Sequence, residues 1–321
     1  MNIRIRAAAA IAAGVLALTA CSSPNGGTSS APAPSAPQSA ATDGDLLSVA
    51  NVVNGYLGDQ GFFDDAERGI QELAAAGHKT TTLQADANNP SQWKANLESV
   101  SGNDWDLVVL GSAQMTDILS EALTKFPEQK FIFYDNVFEH ENVASVIYKQ
   151  NEGSFLAGVL AAQVTTNKAD FPLSGEGKKV GVVGGMDIPV INDFVAGFTA
   201  GVEAVDPSIE VLTTYVGNFT DSQKGYDQAK AMYDDGADVV FQVAGGAGIG
   251  VLQAAKDAGR YGIGVDGNQN GLQPGHVLAS MMKNIARSLV LTVEAAQAGE
   301  LEFGTTTAYG LANDGVRLEF A

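Results

Sequence analysis

Two aspartates, Asp135 and Asp266, each close a segment built from the same succession of features. DLVVLGSAQMTDILSEALTKFPEQKFIFYD (106–135) and DVVFQVAGGAGIGVLQAAKDAGRYGIGVD (238–266) both read as apolar strand, small-residue loop, helix, basic or aromatic turn, strand and then Asp. A carboxylate at a strand end accepts hydrogen bonds from the hydroxyl or N–H donors of a small ligand and rejects analogues that lack them. The same position also suits a turn or helix-capping aspartate. Phe62 opens a helical pattern, where its ring offers a flat stacking face or packs into the core. These are the residue types of a binding cleft. No G-x-S-x-G or Walker motif is present, and His78, His140 and His276 are scattered without metal spacing. The expectation is a binding protein with no cofactor and no metal, not an enzyme.

Loops of small residues accompany these groups. KKVGVVGGMDIPVINDFVAGFTAG (178–201) runs from an apolar strand through a bend holding Gly185, Met186 and Asp187 into a helix near Val190. Gly245 and Gly246 occupy the corresponding bend after strand 238–243. A strand, a glycine-rich bend and a helix N-terminus together form the mouth of an open α/β sheet, where small ligands bind. GGAGIG (245–250) is not a dinucleotide fingerprint, because Val251 stands where the last glycine belongs. DGNQNG (266–271) begins like a calcium loop, but position twelve is Val277 instead of Glu, so it reads as a tight turn beside the cleft. Asn218-Phe219-Thr220 is a formal glycosylation sequon without further support.

The elements that must hold these loops alternate regularly. Strands are expected at 46–53, 80–85, 106–111, 130–135 and 142–149, with helices at 62–76, 91–100, 114–125 and 152–166 between and after them. The rhythm restarts at 179–184 and continues with strands at 209–216, 238–243, 261–266 and 276–283. The helices of this half fall at 190–205, 221–235, 248–258 and 284–298, and two short strands, 305–309 and 316–320, finish the chain. Such alternation means parallel sheets covered by helices on both faces. DDAERGI (64–70) parallels NDFVAGF (192–198), with Gly69 and Gly197 in register. Two similar α/β lobes, closing like a hinge around a ligand, are the expected plan. Pro172, Ser174 and Gly175 place the first crossing in 168–177. The expected N-terminal lobe is therefore 45–170 plus 270–321, and the C-terminal lobe 171–269.

The front of the chain reads as an address and a tether. Residues 1–20 carry Arg4 and Arg6 and then an apolar run from Ala7 to Leu18, the pattern of a secretory signal. That run is shorter than the roughly 20 residues a spanning helix needs. It ends in Leu18-Thr19-Ala20-Cys21, which resembles the bacterial lipobox and implies acylation of Cys21, the single cysteine. Residues 21–44 are rich in Ser, Ala, Pro, Thr and Gly and cannot bury enough to offset their ordering entropy. As an extended stalk they reach about 65–70 Å.

Composition excludes other classes. Of 321 residues, 45% are hydrophobic and 17% charged, which suits a globular α/β body. The net charge of −19 becomes −21 once residues 1–20 are removed. That sign is wrong for a nucleic-acid partner or an anionic lipid surface. Contact with a membrane is expected through the lipid anchor only, and the body as a monomer.

GVVGGMDIPVINDFVAGF, YVGNFTD, GADVVFQVAGGAGIGVLQAAK and GVD, in this order between 180 and 266, resemble the signatures of the basic membrane protein (PnrA-like) family of substrate-binding lipoproteins. NGYLGDQGFFDDAERG, FYDN (133–136) and SVIYKQNEGSFLAG (145–158) extend the likeness over residues 45–320. The resemblance implies a two-lobed type I periplasmic-binding-protein fold serving an ABC permease, and a purine nucleoside as ligand. It implies that Phe62 stacks on the base and that Lys283 reaches the sugar, while Asp59 matches the family's opening motif. Val53 stands where nucleoside-binding members carry an acid, and Asn54 beside it is the available polar substitute. A sugar-binding or sensor lipoprotein with the same fold is the alternative.

Overall fold

Among the described residues, short runs of Val, Ile, Leu and Phe make most strands, two threonine-rich edge strands (79–83 and 306–309) excepted, and amphipathic or small-residue segments make the helices. The computed structural model describes residues 45–102 and 104–321, so the signal segment 1–20, Cys21 and the stalk 21–44 lie outside the described residues. The first half comprises β1 (Ser48–Val52), α1 (Phe62–Ala75), β2 (Lys79–Leu83), α2 (Pro90–Val100), β3 (Leu107–Gly111), α3 (Thr116–Lys125), β4 (Lys130–Tyr134), β5 (Val143–Tyr148) and α4 (Gln150–Thr166). The second comprises β6 (Lys179–Gly184), α5 (Pro189–Val205), β7 (Glu210–Tyr215), α6 (Ser222–Asp234), β8 (Ala237–Val243), α7 (Gly248–Asp257) and β9 (Tyr261–Asp266). The chain finishes with β10 (Val277–Lys283), α8 (Ile285–Gln297), β11 (Thr306–Tyr309) and β12 (Val316–Phe320).

Two six-stranded sheets result, ordered β11-β5-β4-β3-β1-β2 and β12-β10-β9-β8-β6-β7. All pairings in the first are parallel. In the second only β12 runs antiparallel, against β10. Parallel strands need crossover helices, and these cover both faces. In the first lobe Ile70 and Leu73 of α1 pack with Val109 of β3 on one side of the sheet, while Trp93 and Leu97 of α2 and Leu119 of α3 pack on the other. In the second, Phe198 and Val202 of α5 join one core cluster with Phe241 of β8, and Val251 and Ala255 of α7 join another with Val240 of the same strand. This is the two-lobed type I periplasmic-binding-protein architecture.

The equivalent glycines Gly69 and Gly197 perform the same task in the two lobes. A Cβ on Gly69 would lie 2.8 Å from the Ala286 Cα on α8, and one on Gly197 would lie 2.3 Å from the Asn151 carbonyl on α4. Each lets two helices approach backbone to backbone. The Asp65 carboxylate on α1 also accepts from the Ala286 N–H at 3.0 Å, satisfying an orphan donor in the first turn of α8.

The lobe boundaries differ from those the sequence suggested. The chain first crosses at Lys149, between β5 and α4, because α4 packs on α5 and the second sheet. The polar stretch 168–177 is not a linker. Asp238, fully buried, accepts from Thr165 Oγ1 and the Gly175 N–H, and Arg260 Nη1 donates to the Leu173 carbonyl at 2.8 Å. Those bonds pin the loop to the second lobe. Nor do residues 270–321 form one piece: β10 and β12 belong to the second sheet, whereas α8 and β11 belong to the first lobe. The chain recrosses at Asn284 and again between Tyr309 and Val316. An apolar strand pattern reports that a face is buried, but it does not report which sheet buries it.

Candidate functional site

The strand ends of both sheets meet at a cavity of about 550 Å³, walled by residues of both lobes. The residue just after β4 is Asp135, and the last residue of β9 is Asp266, with φ of 65° and 61°. This left-handed turn is one that aspartate tolerates better than most residues. The internal repeat therefore extends to the backbone conformation of its last residue.

Lys283, at the end of β10, lies between them. Its Nζ is 2.7 Å from Asp135 Oδ1 and 3.9 Å from Asp266 Oδ1. The lysine is 2% exposed. Rings surround its ammonium group, with centroids at 5.6 Å for Phe62, 5.3 Å for Tyr148 and 4.9 Å for Phe194. A buried cation needs such compensation, and here it comes from one close carboxylate and three quadrupoles. Asp266 is left less well served. It is 7% exposed, and its Oδ1 has no hydrogen-bond partner. Burial pushes its carboxyl up to about 7, overcoming the opposing pull of Lys283.

Phe62 is the first residue of α1 and lines the cavity, its ring 5.3 Å from that of Tyr134 and in edge contact with Phe63. Asp59 lies at the same wall, but its carboxylate is committed to the backbone. It accepts from the N–H groups of Gly61, Phe63 and Asp64 at 3.0, 2.9 and 3.1 Å, capping the start of α1. Burial raises its pKa, with those three bonds acting in the opposite sense. Asp59 thus positions Phe62.

Asn54, Met186, Gly245 and Gly246 also line the cavity. Gly185 and Asp187 do not. Gly185 is a seat: a Cβ there would fall 2.2 Å from the ring of Phe219, which does line the cavity. Asp187 is exposed and accepts from Asn192 Nδ2 at 2.8 Å. The GGMDIP bend supplies packing on one side and surface on the other, and only Met186 of the three faces the space between the lobes.

Val53, in place of an acid, is buried at 1% exposure. Next to it Asn54, 3% exposed, donates through Nδ2 to Gln114 Oε1 at 3.2 Å, while its Oδ1 has no partner. Gln114, Phe194 and Phe219 line the cavity and escaped the sequence reading. For Gln114 a signal existed. It occupies, in the loop after β3, the place that Gly246 occupies after β8, so extending the internal repeat residue by residue would have found it. Phe219 sat inside the apparent glycosylation sequon, which drew attention to Asn218 instead.

The arrangement gathers flat aromatic surface, carboxylates and amides around an enclosed space and offers no activated nucleophile. It is built to hold a small molecule rich in hydrogen-bond donors.

Comparisons with known proteins agree with this geometry. An ABC transporter nucleoside-binding protein, BmpA, of Lactococcus lactis subsp. cremoris is 31% identical over 85% of this chain and 80% of its own. Basic membrane protein A1 of Borrelia garinii subsp. bavariensis is 28% identical over 84% of this chain and 78% of its own. Among solved structures, the ABC transporter solute-binding protein of Aeropyrum pernix K1 superposes with a TM-score of 0.76 at 28% identity, covering 85% of this chain and 76% of that one. The family model described as ABC transporter substrate-binding protein, PnrA-like, matches residues 46–320, and the chain accordingly belongs to this Bmp family of extracytoplasmic solute-binding proteins.

Proposed function

We propose that the protein captures a purine nucleoside outside the cytoplasm, tethered by a lipid on Cys21, and hands it to an ABC permease. The observation that carries the ligand class is the meeting, in one cavity, of the Phe62 ring from the first lobe with the Asp266 carboxylate from the second. A purine is flat and stacks. A ribose offers two hydroxyl donors, and Asp266 retains an oxygen without a hydrogen-bond partner. The nucleoside-binding relative in Lactococcus lactis supports the same ligand class.

In this reading Phe62 and Phe219 approach the base, while Asp135, Lys283 and Asp266 face the ribose. Asn54 and Gln114 meet the edge of the base where other members use an acid. An amide pair presents one acceptor and one donor, whereas a carboxylate only accepts. The binding energy therefore leans more on stacking and on the ribose than in members that keep the acid. Titration calorimetry with adenosine, guanosine, inosine and a panel of free sugars tests the assignment. Saturable heat with the nucleosides is expected. A clear isotherm with a sugar and none with any nucleoside would retain the fold and overturn the ligand.

A further inference from the structure

Behind the cavity, and lining no part of it, lies a pair of buried glutamines, Gln242 on β8 and Gln269 in the connection from β9 to β10. They are 0% and 1% exposed. Gln269 Oε1 accepts from Gln242 Nε2 at 2.6 Å and from the Val265 N–H at 3.1 Å. Gln242 Oε1 accepts from the Ala244 N–H at 3.0 Å, and the Gln269 N–H donates to Ser280 Oγ at 2.9 Å. These four bonds stay inside the second lobe. A fifth crosses out of it: Gln269 Nε2 donates to the carbonyl of Gln60 in the first lobe at 3.1 Å.

The three backbone positions joined in this way each adjoin a cavity wall. Val265 precedes Asp266, Ala244 precedes Gly245 and Gly246, and Gln60 lies between the capping Asp59 and Phe62. Gln60 is itself held in the left-handed region, with φ of 56°, and its N–H donates to Asp64 Oδ2 at 2.9 Å. The lobes meet closely here. A Cβ on Gly267 would lie 3.0 Å from the Gln60 carbonyl oxygen, and one on Gly61 3.4 Å from that of Val265.

We propose that Gln269 is a positioning residue for ligand capture, registering the strand end that carries Asp266 against the loop that seats Phe62 without touching the ligand. A buried amide whose every bond has a defined partner fixes those two segments to one relative placement. When the lobes separate, the glutamine pair gives up only its bond to Gln60, so closure and the alignment of the two ligand-facing residues become a single event. The inference rests on the cavity being the ligand site, but not on the ligand being a nucleoside.

Gln269→Met removes the cross-lobe bond at nearly constant volume. Gln242→Met serves as the comparison, because it disturbs the same buried pair and leaves Gln269 free to reach Gln60. Both should lower the melting temperature. Small-angle scattering of the ligand-free proteins should show a larger radius of gyration for Gln269→Met only. By stopped flow with inosine, its dissociation rate should rise about fivefold, the size of one lost hydrogen bond, with association unchanged. Gly267→Val, which wedges the same seam from the glycine side, should reproduce the expansion even if Gln269→Met folds poorly. Wild-type dimensions for both seam variants, or an equal effect of Gln242→Met on dimensions and dissociation, would overturn the proposal. Should no nucleoside bind at all, the ligand assignment fails, and scattering of the ligand-free variants still decides the role of Gln269.

Discussion

Lys283 Nζ and Asp135 Oδ1, 2.7 Å apart, join a strand end of one sheet to a strand end of the other. The pair is almost wholly buried, at 2% and 10% side-chain exposure. Removing one member leaves an uncompensated charge, which costs about 3–5 kcal/mol, whereas removing both is much cheaper. Lys283→Met should therefore lose on the order of 3 kcal/mol in a urea titration of the ligand-free protein. Adding Asp135→Asn should restore most of that loss. A double variant as unstable as the sum of the two singles would show that the ion pair is not what holds these residues.

The pH response should single out Asp266. Burial penalises the charge and pushes its carboxyl up to about 7 in the folded protein, against an ordinary aspartate value of about 3.8. Between those values the folded chain holds a proton that the unfolded chain has released, so this residue's contribution to stability is full below about pH 4 and is lost as pH rises through 7. Comparing wild type with Asp266→Asn across pH 4–8 should reveal a difference in slope worth on the order of a few kcal/mol, with the variant more stable at pH 8. Ligand donors favour the ionised form, so inosine affinity should rise from pH 5.5 to 8 in wild type. Parallel stability profiles for the two proteins would contradict the assignment.

Stacking on Phe62 should dominate affinity for the base. With base–aromatic stacking worth roughly 1–3 kcal/mol, Phe62→Ala should weaken every purine nucleoside by about 10- to 150-fold. Asp266→Ala should weaken nucleosides far more than free bases, because the bases bring no ribose. Calorimetry on the two variants with inosine and hypoxanthine separates these roles, and equal losses for both ligands with Asp266→Ala would sink the ribose contact.

Helix packing through glycine can be tested independently of any ligand. Gly197→Leu must force α5 away from the Asn151 carbonyl, which a Cβ would already meet at 2.3 Å. Overpacking of this kind costs about 1–3 kcal/mol or more. Gly271→Ala, where a Cβ meets nothing within 4 Å, should leave the melting temperature unchanged. Equal melting temperatures for the two variants would remove close helix approach as the reason for Gly197.

The proposed lipid anchor is tested at Cys21, which lies outside the described residues. Cys21→Ser should abolish incorporation of a fatty-acid analogue and leave the signal segment uncleaved on a gel. Labelling that persists in the serine variant would exclude the thiol as the attachment point.

Much of this molecule follows from local pattern. Each strand and helix lies within a few residues of where hydrophobic periodicity places it, because periodicity records which face of an element leaves water. The repeat between 106–135 and 238–266 is legible for the same reason, and with it the placing of Asp135 and Asp266 at matching strand ends. Partnership across space is a different matter. Nothing local distinguishes β10, which joins the second sheet, from β11, which joins the first, since both strands only need a neighbour with free N–H and C=O groups. The crossing at Lys149 takes one residue and carries no glycine or proline to announce it. Asp59 stands at the cavity wall, and its carboxylate also accepts from three N–H groups at the start of α1, bonds that spacing in the sequence does not announce. Asp187 belongs to a signature loop, but the direction of that loop turns it to solvent. Gln269 belongs to the DGNQNG turn, and its bond to Gln60, 209 residues away along the chain, exists because the two lobes bring their backbones together. Hydrogen bonds at such separations depend on position and direction in three dimensions, and those are set only when both sheets have formed.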